Sequence, residues 1–360
     1  METEQENNIP ENQEIKKELT SMQITEEIVS ELIKPNAYNH EINMPVKVIR
    51  TAVSIVFLTG SYAYKICKPV NFGYLDFSTL EKRKKSCTDE LELNKLISPE
   101  LYVNIITINK AENGELFVNG EGEIVEYAIK MKQVDNNQIM SSLLSKDEVT
   151  SEHVKKLANI IYDYHKVAKT SPEISEYGSL SGVKLNCDEN FEQTDKYKEK
   201  IISYEDFNVI KEKVNKFISE NKELFEKRVI ENKIKHCHGD FHSGNVFIVN
   251  GEPIIFDAIV FNKRFPCSDI IAEIAFMAMD LDYHGKHNLA EEFIATYCHL
   301  SQDEDIYKLL NFYLSYRAYV RGKVNCFISD DSKLDENTRN DILFGAKKYF
   351  NLAKKYAEKF

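Results

Sequence analysis

Residues 238–257 read HGDFHSGNVFIVNGEPIIFD, and three of their side chains, Asp240, Asn245 and Asp257, have the types and spacing to hold a hard cation against a phosphate. Val246 to Val249 is a short apolar run, Asn250 and Gly251 form the preferred type I′ turn pair, and Pro253 to Phe256 runs back. Pairing about that turn sets Asn245 across from Phe256, with Asp257 one residue beyond. Cross-strand Cα atoms lie roughly 4.5–5.5 Å apart, so an amide oxygen and a carboxylate there can share one ion. Mg²⁺ suits such a site because it takes few protein oxygens and completes its shell with water and phosphate oxygens. Asp240 falls on the preceding loop, where a carboxylate can orient a hydroxyl and take its proton. Phosphoryl transfer is the chemistry this layout serves.

Its neighbours have plainer duties. His238 is expected to anchor the loop through a backbone hydrogen bond, and His242 and Ser243 to be positional. A rival reading takes His236, Cys237, His238, Asp240 and His242 together. They resemble the HxHxDH run of di-zinc metallo-β-lactamase-like hydrolases, but the last His comes one position late, after Phe241.

The elements that must position these groups change character along the chain. Residues 1–22 are rich in Glu, Asn and Gln and are expected to be a disordered acidic tail. A short helix is expected from Ile24 to Ile33. Strands follow at Pro45–Arg50, Ser54–Leu58 and Tyr62–Cys67, then a helix over 77–97 with Ser78 as N-cap. Further strands are expected at Tyr102–Asn109, Glu115–Val118 and Glu123–Lys132, separated by Asn-Gly pairs, giving about five antiparallel strands around one main helix. Beyond Lys132 the apolar residues recur with helical periodicity at Asn137–Leu144, Ser151–Ala168, Asn190–Lys227, Asp269–Asp280, Asn288–Cys298 and Ile306–Phe327. The segment Lys169–Glu189 reads as an ordered insertion or a loop. The expected fold class is therefore α+β, with a β-rich lobe over 23–132 and a helical lobe over 133–360.

Composition narrows the class further. The 360 residues suffice for a large core, and no apolar run approaches the ~20 residues needed to cross a bilayer. The polar start METEQENNIPENQEIKKE is unlike a secretory signal, and the seven scattered cysteines contain no CxxC, so a cytoplasmic protein with reduced thiols is expected. A net charge of −12 argues against nucleic acid as a partner. A small-molecule substrate is expected instead, with no membrane partner.

HGDFHSGN followed by IIFD resembles the catalytic and metal loops of the aminoglycoside phosphotransferase and choline kinase superfamily, which shares the protein-kinase-like fold. The likeness extends to VSIVFLTGSYAYKICKPVNFGYLDFSTLEKRKKSCTDELELNKLISPELY, which looks like the first lobe of an aminoglycoside phosphotransferase-like branch, and covers residues 24–330. Some members of that branch carry a further P-loop kinase domain, but no GxxxxGK[ST] motif occurs here.

The resemblance implies an ATP- and Mg²⁺-dependent kinase acting on a small-molecule hydroxyl. It implies Asp240 as the catalytic carboxylate, Asn245 and Asp257 as metal ligands, and Lys65 on the ATP phosphates, with Lys68 the competitor. Glu90 would position that lysine, with Glu92 its competitor. Backbone groups of Lys132 and Val134 would read adenine. Thr51 and Ser54, in the glycine-free RTAVS loop, would assist the phosphates.

The RTAVS loop, with no glycine, and position 273 both depart from the pattern. Glu273 replaces an Asp common in the family, and with Asp269 one turn earlier it is expected to brace the catalytic loop. Arg317 and Arg321, four apart on one helix face, would either bind an anionic group of the acceptor or form internal braces. A non-catalytic pseudokinase module is the remaining alternative, although Lys65, Asp240, Asn245 and Asp257 are all present.

Overall fold

The computed structural model describes residues 22–73 and 75–360, which divide into two compact units. The expected acidic tail, apart from Met22, lies outside the described residues. The first unit runs to Asp135 and takes in 260–262; the second comprises Asn136–Ile259 and Lys263–Phe360. All seven cysteines are free thiols. Among the described residues no helix is long and apolar enough to cross a membrane.

In the first unit, helix α1 (22–32) precedes β1 (Lys47–Arg50), β2 (Ser54–Leu58), β3 (Tyr62–Cys67), α2 (Leu80–Ile97), β4 (Tyr102–Lys110), β5 (Leu116–Val118) and β6 (Glu123–Lys132). The strands form one antiparallel sheet of six, rather than about five, in the order β1-β2-β3-β6-β4-β5.

Strand period decides which side chains face which way. Ile55 and Phe57 of β2, with Tyr64 and Ile66 of β3, share one face and bury themselves with Ile28 and Leu32 of α1. Each such apolar side chain contributes about 1.5–3 kcal/mol on burial. Lys65, between Tyr64 and Ile66, must therefore point to the opposite face, where it meets Glu90 of α2. The N-cap of α2 lies one residue later than expected, and the helix itself begins at Leu80. Thr79 is its N-cap, accepting from the Lys82 amide, while Asp76 holds both the amide and hydroxyl of Ser78 outside the helix.

The second unit contains α3 (Met140–Ser145), α4 (Ser151–Val167), α5 (Pro172–Tyr177), α6 (Leu180–Thr194), α7 (Tyr204–Glu220), α8 (Lys222–Ile230) and β7 (Ile234–His236). There follow β8 (Val246–Val249), β9 (Glu252–Ile255), β10 (Cys267–Asp269), α9 (Ile270–Tyr283), α10 (His287–Ser301), α11 (Ile306–Ser329) and α12 (Glu336–Ala357). Two short antiparallel ladders, β7 with β10 and β8 with β9, carry the loops between them.

Three expectations need correcting here. The expected insertion or loop Lys169–Glu189 holds α5 and the start of α6, because Ser171 followed by Pro172, and then Ser179, each open a helix with a side-chain cap. The supposed single helix Asn190–Lys227 is three. Thr194 bonds back to the Asn190 carbonyl, Glu199 adopts φ +63°, and Ser203 and then Asn221 restart the chain. α12 was not anticipated at all, yet it packs closely along α11.

α9 is buried on every side from Ile270 to Leu281. Its N-terminus is held by Asp269, which caps the Ile271 amide and receives a two-point ion pair from the fully buried Arg228. Asp303 pairs with the other side of the same guanidinium, at 2.8 and 2.6 Å. Asp269 thus braces α9 against α8, and it is Glu273 that reaches the catalytic loop.

Candidate active site

The hairpin forms with Asn250 at φ +53° and Gly251 at φ +78°, the values a type I′ turn needs. Val246 pairs with Ile255, and one step outward the Phe256 amide donates to the Asn245 carbonyl at 3.0 Å. Asp257 follows at φ +66°, a left-handed conformation uncommon for a residue with a side chain and typical of positions fixed for function.

Asn245 and Asp240 meet directly. The Asn245 Nδ2 donates to the Asp240 carboxylate at 3.0 Å and to the Asp240 carbonyl at 2.9 Å. With its nitrogen so engaged, the amide presents Oδ1 as its remaining acceptor, and together with the Asp257 carboxylate this is a hard-oxygen donor set that fits Mg²⁺. The Asp240 side chain remains about a third exposed, with His242 Nε2 3.3 Å from it. Burial works to raise its pKa but is outweighed by the charge and hydrogen bond of His242, then by the charge of Arg321. The carboxyl is held well below the usual range and is ionised near neutral pH.

His238 ties the two loops together. Its Nε2 donates to the Phe256 carbonyl at 2.9 Å, and its Nδ1 accepts from the Asp240 amide at 3.3 Å, which fixes the neutral tautomer. Complete burial lowers its pKa in keeping with that role. Gly239 takes φ +87°, and a Cβ there would lie 3.0 Å from Pro266 Cα.

Glu273 secures the loop from beneath. One carboxylate oxygen accepts the Gly239 amide at 2.8 Å and the other meets His165 Nε2 at 2.8 Å, while His165 Nδ1 contacts the Tyr297 hydroxyl at 2.6 Å. Burial pushes the Glu273 carboxyl up, but its bond to His165 and the nearby charges bring it below the usual value. Asp280, further along α9, accepts the Ser243 amide at 2.8 Å.

In the first unit Lys65 Nζ lies 2.8 Å from Glu90 Oε1, with the two side chains 16% and 6% exposed. Lys68 instead reaches the Thr51 carbonyl, and Glu92 is exposed. Other expected residues are less available. The Thr51 and Ser54 hydroxyls meet at 2.9 Å, and Thr51 Oγ1 accepts the amides of Val53 and Ser54, so this turn spends on itself the groups expected to hold phosphate. The Lys132 amide donates to the Leu101 carbonyl at 2.9 Å.

Arg317 is an internal brace. Its Nε donates to the Ala272 carbonyl at 2.9 Å, a terminal nitrogen reaches the Gly239 carbonyl at 3.5 Å, and the guanidinium lies 4.7 Å from the centre of the Phe276 ring. Arg321, one turn on, is half-buried beside Tyr349, and its Nε has no hydrogen-bond partner.

The zinc reading does not survive. Among the described residues only His165, Cys237 and Glu273 bring three ligand atoms close together, and the first and last are already bonded to Tyr297 and Gly239. The HCHGDFH run assembles no such group of its own.

No family model matches the sequence. Uncharacterized proteins of Mycobacterium tuberculosis and Mycobacterium bovis are 29% identical over 281 residues, which is 78% of this chain and 55% of theirs. The chain thus spans about half the length of the curated relatives it matches.

Solved structures speak to the fold. A choline kinase from Cryptosporidium parvum aligns over 94% of this chain and 96% of its own with a TM-score of 0.55 at 12% identity. An amicoumacin kinase solved with AMP-PNP and Ca²⁺ aligns over 94% and 96%, with a TM-score of 0.52 at 13% identity. A GDP complex of an aminoglycoside 2′-phosphotransferase aligns over 94% and 99%, at 0.51 and 11%. This chain has the aminoglycoside phosphotransferase and choline kinase fold. Sequence reading missed two supports of the site that this fold buries, His165 beneath Glu273 and Arg228 beneath Asp269. A lone His and a lone Arg on amphipathic helices carry no local signal of such partners.

Proposed function

We propose that this chain is an ATP- and Mg²⁺-dependent phosphotransferase that moves the γ-phosphoryl group to a hydroxyl of a small molecule. The observation that carries the reading is the two-point contact of Asn245 with Asp240, which leaves the amide oxygen for a cation and the carboxylate for a hydroxyl. The fold it shares with kinases and phosphotransferases supports the same conclusion.

In this account Asn245 and Asp257 would hold Mg²⁺, which when bound neutralises phosphate charge. Lys65, oriented by Glu90, takes the ATP phosphates, and the Val134 backbone reads the base. Asp240, ionised and about a third exposed, orients the acceptor hydroxyl and takes up its proton as transfer proceeds. Positioning supplies most of the acceleration, because phosphoryl transfer asks little covalent chemistry of the protein. The loop supports serve that need: His238 sets Asp240 relative to Phe256, and Glu273 sets Gly239. A screen of Mg·ATP consumption against sugars, amino alcohols, hydroxy acids and aminoglycosides tests the reading. Acceptor-dependent ADP release is expected; ATP binding without any acceptor-dependent turnover would favour a regulatory nucleotide sensor.

A further inference from the structure

Arg321 is a half-buried cation of α11 that has Tyr349 as a hydrogen-bonding neighbour but forms no ion pair among the described residues. Its Nε is fully shielded and has no hydrogen-bond partner, and among the described residues no carboxylate lies within ion-pair distance of it. A shielded donor left unmade costs about 1–3 kcal/mol, so the unsatisfied Nε points to a ligand of this guanidinium.

The surroundings locate that ligand. One turn before Arg321 on the same face of α11, Arg317 reaches the carbonyl of Gly239, the residue adjoining Asp240. The charge of Arg321 is felt at Asp240 itself. Its guanidinium carbon lies 5.7 Å from the centre of the Tyr349 ring, Tyr349 stacks on Tyr283 at 3.9 Å, and Lys348 Nζ sits 4.1 Å from the centre of the Tyr283 ring. The stack restrains the arginine from one side and adds a second cation beyond it. His242 and His284 lie in the same neighbourhood. Asp240 and Asp280 supply the nearest negative charge, and Asp280 also accepts the Ser243 amide.

Resting on the phosphotransferase reading, we propose that Arg321 binds an anionic group of the acceptor, a carboxylate or a phosphate ester, beside the hydroxyl that Asp240 orients. The planar fork of a guanidinium matches either group at two points, whereas a cationic amine acceptor would be repelled. Hydroxy acids and sugar phosphates are thus the favoured acceptors, and aminoglycosides and choline are disfavoured.

The test uses the full chain and matched acceptor pairs: glycerate against glycerol, gluconate against glucose, ribose 5-phosphate against ribose, with kanamycin and choline as cationic members. Turnover of each is measured by ADP release, and anion binding is read separately from the Arg321 side-chain Nε–H signal in nitrogen-15 NMR. An anionic acceptor should shift that signal and be turned over in preference to its neutral partner. Arg321→Gln should raise its KM by about 10–100-fold with the KM for ATP unchanged, as expected for the loss of a charge-assisted contact. Arg321→Lys, which keeps the charge and guards against misfolding, should recover part of the loss.

Preferred turnover of a neutral or cationic acceptor, indifferent to Arg321→Gln, would overturn the proposal while leaving the kinase reading intact. Silence of the Arg321 signal toward every anion at millimolar concentration would overturn it too. Anion binding at Arg321 without any turnover would count against the phosphotransferase reading alone.

Discussion

His238 Nε2 donates to the Phe256 carbonyl at 2.9 Å, so the residue two before Asp240 is fastened to the residue immediately before Asp257. One buried imidazole therefore spaces the Asp240 loop from Asp257. His238→Phe keeps the volume and removes both hydrogen bonds. Its turnover should fall about 10–100-fold, since an ångström of misplacement costs about that much, with a smaller loss of Mg·ATP affinity. Steady-state kinetics over ATP and acceptor check this; unchanged turnover would show that the loops are spaced by other contacts.

Glu273 is the second support, and its loss should be felt in stability before catalysis. Glu273→Ala leaves the Gly239 amide and the His165 imidazole without their partner inside the core. Removing one member of a buried charged network typically costs about 3–5 kcal/mol, so urea unfolding should show a drop of that order. Glu273→Gln, which can still accept from Gly239, should lose less.

Lys323 gives the chain a distinct pH signature. Burial, the leading cause, with Arg264 adding to it and Glu189 opposing, pushes its ammonium down to about 8, and its Nζ contacts the side-chain oxygens of Asn190 and Gln193 at 2.6 and 2.8 Å. A lysine whose folded pKa is depressed is destabilising while charged. The penalty is fully present below pH ~8 and is relieved as pH rises from there toward the unfolded value of ~10.4, so stability should gain over that window. Only the neutral amine is nucleophilic. Brief acetylation across pH 7–10, followed by peptide mass spectrometry, should therefore show Lys323 reaching half its maximal intrinsic reactivity near pH 8, ahead of surface lysines.

How far the sequence disclosed all this depends on the range of the signal. The hairpin was legible because Asn250-Gly251 fixes its own register, and that register set Asn245 opposite Phe256. Lys65 could be assigned to a strand, but its partner, Glu90 with Glu92 as competitor, came only through the resemblance. Its pairing with Glu90 rather than Glu92 followed only once α2 lay across the sheet. Where local chemistry competed with period, the reading failed: Thr194, Glu199 and Ser203 broke a continuous helical pattern. The supports of the catalytic loop come from helices distant in sequence, with His165 separated from Glu273 by 108 residues. No spacing rule reaches that far.

The role of Asp240 is tested most directly by comparing Asp240→Ala with Asp257→Ala for both Mg·ATP binding and transfer. Asp240→Ala should keep Mg·ATP-dependent thermal stabilisation near the wild-type value while acceptor-dependent ADP release falls by about 10²–10⁴-fold, the usual worth of a positioned base. Asp257→Ala should lose the stabilisation itself; a binding site previously 100-fold saturated forfeits about 2.7 kcal/mol when ligand no longer binds. Transfer by Asp240→Ala within a few fold of wild type would contradict the account.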